Sequence, residues 1–501
     1  MQIFLHFFSN SLHISHFFCI FARFFVTMNL KDDIQAGCTV YFLGIGGIGM
    51  SALARYFHAN RHPVMGYDLT PSPLTHELEE EGIMVKYEDS VDEEFLLSVE
   101  DTLVVRTPAV PEGNELYQYF LTNGFRILKR AEILGLVTRQ HKALCVAGTH
   151  GKTTTSTLLA HLIQGTQKGT NAFLGGISLN YNSNLLLAPE SEYVVVEADE
   201  YDRSFHHLSP YMSVITSIDP DHLDIYGDAK SYQQGFDQYA ALVQKAVVVK
   251  KGFHVAPPGI PAGQGPTIYS YSTDDPTADF YAANIRVTEG EIRFDFHHPE
   301  GKIEDLKLGV PVWVNIENSV AALAIAWLNG VSDSILREGL QTFAGVKRRF
   351  NIHVSNARVA YMDDYAHHPT ELQSAIESIR KIYPQRRNIG IFQPHLYSRT
   401  RDFIDGFARV LSRLDELILL PIYPARERPI PGVTSEWLMK CCRKVPGNQC
   451  RVSVVEKADL LTTIQKRLNE ANEKGESLAL MTLGAGDIDR FVPDITQLLQ
   501  A

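Results

Sequence analysis

The segment KALCVAGTHGKTTTSTLLAHLI, residues 142–163, constrains the fold more than any other stretch of the chain. It runs from an apolar, β-rich stretch through a glycine-bearing loop into a helical pattern. That order lets backbone N–H groups and the positive end of a helix dipole surround a phosphate chain. Gly148, Thr149, His150, Gly151, Lys152, Thr153 and Thr154 form the candidate nucleotide loop. In it Lys152 reaches β- and γ-phosphates, and the Thr153 hydroxyl serves Mg2+. The common loop is G-x-x-x-x-G-K-[ST], and its opening glycine falls here on Val146. A strand, loop and helix of this kind needs parallel neighbours, so an α/β architecture is expected.

Two later β-like runs end in chemistry. YVVVEADEYD places Glu197, Asp199 and Glu200 just past its apolar core, and MSVITSIDPDHLDIYG ends in Asp219, Asp221, His222 and Asp224. Ligands of doubly wound sheets bind outside the carboxyl ends of the strands, so the loop and both acidic ends are expected at one edge. A single such Glu is usually a solvated loop residue, and a single His usually structural. Three strand ends together point to metal-assisted ATP chemistry. Mg2+ prefers oxygen ligands, whereas an imidazole in the set suits Mn2+ somewhat better.

Upstream, CTVYFLGIGGIGMSALARYF followed by PVMGYD gives strand, glycine turn, helix and second strand. Gly44, Gly46, Gly47 and Gly49 form the turn, and Asp68 ends the second strand. This is a βαβ diphosphate fingerprint, which fits either NAD or a UDP-sugar. Downstream, VNIENSVAALAIAWL carries Asn315 and Asn318 at the start of an apolar helix, as simple caps or as purine contacts. A last α/β unit follows FAGVKRRFN. Its strand ends carry Asp363, Asp364, Tyr365, His367, His368, His395, Tyr397, Arg399 and the turn Gly484 to Asp487.

At 501 residues the chain exceeds one hydrophobic core, and a formal net charge of -12 argues against a nucleic-acid coat. Six cysteines without C-x-x-C pairing read as reduced thiols in a cytoplasmic protein. Residues 1–27 hold eight phenylalanines and one charged side chain, Arg23, and match neither a signal peptide nor a membrane span. Translation is expected to begin at Met28, with a weak membrane anchor as the alternative.

Taken in order, GIGGIGMS, GTHGKTTT, EADEYDRSF, IDPDHLDIYG, NIENSVAALA, GVKRRF, DDYAHHPTE, FQPHLYSRT and GAGDID resemble the Mur ligases. Members of that family similarly lack the opening loop glycine. The resemblance implies three α/β domains: a Rossmann-like UDP-binding domain over 28–131, a central P-loop ATPase-like domain over 132–343, and a Rossmann-like C-terminal domain over 344–501. It implies an ATP-dependent amide-forming ligase that joins L-alanine to the lactyl carboxylate of UDP-N-acetylmuramate through an acyl phosphate. Lys152 then clamps the triphosphate, and Thr153, Glu197 and His222 form the metal set for Mg2+, with Mn2+ as the alternative. Asn315 and Asn318 resemble adenine contacts, and Arg349 with Asp364 resembles the pair that holds ATP from the third domain. Tyr365, His367 and Arg399 match positions for the incoming amino acid. Gly44, Gly46, Gly47, Gly49, Ser51 and Asp68 belong to the nucleotide-sugar site. A cytoplasmic monomer or weak homodimer is expected, without membrane or nucleic-acid partners.

Three departures accompany the resemblance. Val314 stands where a histidine often precedes the first asparagine, Leu396 replaces an arginine, and RTPAV at Arg106 to Val110 replaces a serine-rich stretch. No lysine is expected to be carbamylated. The rival readings are a ligase that attaches a whole tripeptide to the same nucleotide sugar, a P-loop ATPase switch, and a nicotinamide dehydrogenase.

Overall fold

The computed structural model describes Ile34 and residues 37–91, 97–221, 223–261, 263–288, 290–425 and 427–500. The expectation for residues 1–27 lies outside them, as does His222. The chain forms three α/β domains, each built on its own sheet.

The first sheet comprises β1 (Thr39–Leu43), β2 (Val64–Tyr67), β3 (Met84–Lys86), β4 (Thr102–Arg106) and β5 (Arg126–Lys129), all parallel, in the order β3-β2-β1-β4-β5. The order reverses between β1 and β4, and the glycine turn leaves β1 at that switch point, leading into α1 (Ile48–Ala59). A ligand crevice belongs there. Gly44 has φ +87°, and a Cβ on it would fall 2.5 Å from Thr107 Cγ2, so both conformation and space require glycine. From β5 the chain enters α2 (Arg130–Arg139), which leads directly into the central sheet.

That sheet has ten strands: β6 (Lys142–Ala147), β7 (Asn171–Ser178), β8 (Ser183–Leu186), β9 (Tyr193–Glu197), β10 (Pro210–Ile215), β11 (Ala246–Lys250), β12 (Thr267–Ser272), β13 (Phe280–Thr288), β14 (Glu291–His298) and β15 (Gly301–Lys307). Strands β11, β10, β6 and β9 lie side by side and parallel. Their Val, Leu and Ala runs are buried on both faces, as expected for a covered parallel sheet. Helix α3 (Lys152–Gln164) follows the candidate loop and packs beside α4 (Trp313–Leu328). Helix α4 is apolar nearly all round, and the domain encloses it accordingly.

The third sheet comprises β16 (Asn351–Ser355), β17 (Val359–Asp364), β18 (Arg387–Phe392), β19 (Glu416–Leu419), β20 (Arg451–Val454) and β21 (Leu478–Leu483), in the order β16-β17-β21-β18-β19-β20. Only β16 runs antiparallel to its neighbour. Helix α5 (Pro369–Ile382) follows β17 and carries Leu372 and Ile376 into the apolar cluster that contains α4. The linker into this domain is held by β7: Leu179 N donates to Gly345 O at 3.0 Å and Lys347 N to Ile177 O at 2.9 Å. Arg348 and Phe350 then adopt φ of 62° and 48°, a left-handed backbone that side chains seldom accept.

Candidate active site

The missing loop glycine has a structural explanation. Val146 is still inside β6, fully buried and paired with Val214 and Glu197, so the turn starts only at Gly148. The loop is braced from the side by the end of β10. Thr149 N donates to Ser217 O at 3.2 Å, Thr149 Oγ1 to Asp219 O at 2.7 Å, and His150 N to Ser217 Oγ at 3.0 Å. Gly148 has φ +129°, and a Cβ there would meet Thr216 Oγ1 at 2.1 Å; Gly151 has φ +81°, and its Cβ would meet Asn318 Oδ1 at 2.7 Å. At these two positions the backbone conformation and the close approach of the supports both require glycine.

Lys152 opens α3 and is nearly enclosed. Its Nζ donates to Gly148 O at 2.7 Å and to Glu200 Oε1 at 2.9 Å, with Glu200 Oε2 at 2.8 Å. Burial pulls the ammonium down, but the Glu200 and Glu197 carboxylates outweigh it and the net shift is upward. Burial also pushes Glu200 up to about 7 against the pull of Lys152. Residue type alone places Glu200 at this edge; its pairing with Lys152 appears only in the folded chain.

Glu197 ends β9, the strand next to the loop strand, and burial raises its pKa while Lys152 and a Thr153 hydrogen bond oppose the rise. Its Oε2 is buried without a hydrogen-bond partner. A Cβ on Gly175 would lie 2.0 Å from that oxygen, so only glycine leaves room for it. A buried carboxylate oxygen lacking a donor, beside a threonine hydroxyl, fits a divalent cation. Among the described residues no group of three or more His, Cys, Asp or Glu side chains is placed to hold a metal.

Two cavities flank the loop. One, of about 300 Å³, is lined by Lys152, Thr153, Glu197, Arg349, His367 and Arg399 among others; the second, of about 340 Å³, by Asn315, Asn318, Arg349, Asp364 and Glu371 among others. His150, Gly151 and Thr154 border both. Central and C-terminal domains thus wall the same space. Asn315 and Asn318 are buried and linked, Asn318 Nδ2 donating to Asn315 Oδ1 at 3.1 Å. Asp364 accepts from Phe350 N at 2.8 Å and Ala366 N at 2.7 Å; burial lifts it to about 6, with Arg349 opposing. The Arg349 guanidinium lies 5.4 Å from the Tyr365 ring centre, and Tyr365 meets His367 edge-on at 5.2 Å. Tyr365 borders neither cavity directly. Burial pulls Arg399 below its ordinary value, with Asp221, Tyr365 and Glu427 opposing. Leu396, beside it, holds φ +70° and donates its N–H to Tyr423 O at 2.9 Å.

The first-domain residues lie apart from both cavities. Asp68 Oδ2 accepts from Gly46 N at 2.8 Å and so occupies one turn amide. Ser51 lies in α1, in the first turn after the glycine turn. It is fully buried, donates to Ile48 O at 3.0 Å and accepts from Asn184 Nδ2 at 2.8 Å, which makes it part of the junction with the central domain. Arg130, which the sequence reading did not single out, begins α2, ion-pairs with Asp199 at 2.9 Å and packs against Gly49. A third cavity of about 120 Å³ between Gly49, Arg130, Asp199 and Glu197 connects the start of α1 with the acidic end of β9.

Comparison with known proteins identifies the family. Three family models match in series: Mur ligase family, catalytic domain, over residues 39–142; Mur ligase middle domain over 146–326; and Mur ligase, glutamate ligase domain, over 348–486. The chain is 52% identical over 465 residues to a UDP-N-acetylmuramate–L-alanine ligase of Porphyromonas gingivalis, covering 92% of this chain and 99% of that one. It is 51% identical over 471 residues to a protein of the same name from Parabacteroides distasonis, covering 93% and 98%. Among solved structures, UDP-N-acetylmuramate-alanine ligase from Thermotoga maritima superposes with a TM-score of 0.76 at 25% identity, over 92% of this chain and 99% of that one. A murein peptide ligase from Psychrobacter arcticus shares the fold with a TM-score of 0.63 at 22% identity, over 92% and 99%.

Proposed function

The chain belongs to the Mur ligase family, and from that premise we propose that it joins L-alanine to the lactyl carboxylate of UDP-N-acetylmuramate with ATP, releasing ADP and phosphate. The observation that carries the reading is the shared wall: loop residues of the central domain and His367, Arg349 and Arg399 of the C-terminal domain border one cavity beside Glu197.

A carboxylate does not react directly with an amine, because its leaving group would be oxide. The lactyl oxygen therefore attacks the γ-phosphorus and ADP departs. The amine lone pair then attacks the acyl carbon, and the C–O bond to phosphate breaks. Lys152, released from Glu200, meets the β- and γ-phosphate oxygens together with the loop N–H groups. Thr153 and Glu197 would hold Mg2+, which supplies positive charge to the phosphoryl oxygens when bound; His222 completes the set by the family pattern. Asn315 and Asn318 line the base end, Arg349 and Asp364 approach the nucleotide from the third domain, and Arg399 takes the alanine carboxylate. The nucleotide sugar lies along Gly44, Gly46, Gly47 and Gly49, with its lactyl arm running past Arg130 towards Glu197. We read the site of action as the cytoplasm, with no membrane or nucleic-acid partner. Among the described residues no helix is long and apolar enough to cross a membrane.

Isotope transfer tests this route. With 18O in both lactyl carboxylate oxygens, the released phosphate should carry one labelled oxygen per turnover. Unlabelled phosphate would point to simple ATP hydrolysis and sink the acyl-phosphate reading.

A further inference from the structure

Alanine arrives as an ammonium ion and cannot attack until it loses a proton. Of the described histidines near the reaction space, three have no carbonyl or carboxylate hydrogen-bonded to a ring nitrogen, so no acceptor holds a ring proton in place. The His395 ring stacks on Tyr423 with its Nδ1 buried and unpartnered, and His395 does not border the reaction cavity. His368 caps α5, its Nδ1 receiving Thr370 N at 3.4 Å, and lies edge-on to Phe403. His150 is a loop residue whose Nδ1 is buried and unpartnered.

His367 is different. Its Nδ1 lies 3.0 Å from the Tyr365 carbonyl, which only accepts, so the ring must carry its proton on Nδ1. Glu371, in the first turn of α5, adds its Oε2 at 3.4 Å from the same nitrogen and accepts the His367 backbone N–H at 3.1 Å. Those two acceptors fix the tautomer and leave Nε2 as the basic nitrogen of a ring that borders the cavity with Lys152, Glu197 and Arg399. A carboxylate behind one imidazole nitrogen, on a ring that borders the reaction space, is the arrangement of an oriented general base.

We propose that His367 Nε2 takes the proton from the alanine ammonium and that Glu371 is its positioning residue. The proton passes from nitrogen to Nε2, the freed lone pair forms the C–N bond, the C–O bond breaks, and phosphate leaves with the electron pair. The imidazolium then returns its proton to solvent or to the departing phosphate. The assignment rests on the ligase reading above.

The test compares two nucleophiles in the full-length protein with ATP and UDP-N-acetylmuramate. Hydroxylamine is already unprotonated at neutral pH and traps an acyl phosphate as the hydroxamate without help from a base. For His367→Gln and Glu371→Gln, kcat with saturating alanine should fall on the order of 10² and about tenfold respectively, and hydroxamate formation should fall by much less than alanine ligation in each variant. Three results would overturn the proposal: equal loss with both nucleophiles, a raised KM for alanine with kcat preserved, or alanine ligation unchanged in both variants. The last would make the departing phosphate or water the acceptor. Wild-type protein that forms neither amide nor hydroxamate would contradict the ligase reading itself, a result separate from these three.

Discussion

Lys152 and Glu200 show how one short contact sets the state of the site. The ammonium is satisfied by a buried carboxylate and by its own loop carbonyl, so a triphosphate must displace existing bonds rather than find a waiting charge. Lys152→Ala should abolish turnover while leaving the far-ultraviolet circular dichroism unchanged; substantial residual activity would remove the lysine from the phosphate site. Gly175 is as exacting, because an added Cβ would stand 2.0 Å from Glu197 Oε2. Gly175→Ala should displace that carboxylate and lower kcat on the order of 10²-fold, the scale of losing one charge-stabilising group, with only a small change in melting temperature. A large melting shift with activity preserved per folded molecule would show that Gly175 serves packing alone. Arg399 lies where its charge is partly desolvated, so Arg399→Ala should raise the KM for alanine far more than that for ATP. Equal rises would take it out of the amino-acid site.

At the scale of elements, sequence was most informative where the chain alternates strand and helix. The glycine turn, the phosphate loop and the acidic ends of YVVVEADEYD and MSVITSIDPD each announced themselves by residue type. The sheet then sets β10, β6 and β9 side by side and parallel. What remained hidden were contacts across elements. Glu200 looked like one acid among several because its partner is 48 positions away. Arg130 sits in an ordinary helix start, and its pairing with Asp199 exists only after two domains pack. Ser51, by contrast, looked available beside the glycine turn, but the neighbouring domain supplies Asn184 to cover it. No local pattern reports that. Gly176 of β7 supports the linker into the third domain: a Cβ there would stand 2.6 Å from Val346 Cγ1. Gly176→Ala should push the linker off β7, and hinge changes typically move kcat and KM together. Effects confined to one substrate's KM, measured by steady-state kinetics, would contradict a role in domain placement.

Over the whole molecule, apolar packing is continuous across the domain boundaries. One buried cluster joins α3 and α4 to Leu372 and Phe407 of the third domain, and another joins Val40 and Phe42 of the first domain to Val194 of the central sheet. The domains are therefore held in register, with three cavities lying along their junctions. Such a layout suits a reaction whose acyl phosphate must be kept from water until the amine arrives. The measurement that tests this most directly is product mass and phosphate release in parallel, with ATP, UDP-N-acetylmuramate and either L-alanine or the murein tripeptide. Phosphate release only with alanine, matched by a nucleotide sugar heavier by one alanine residue, is the predicted result. Release only with the tripeptide, or release that ignores the acceptor, would contradict it.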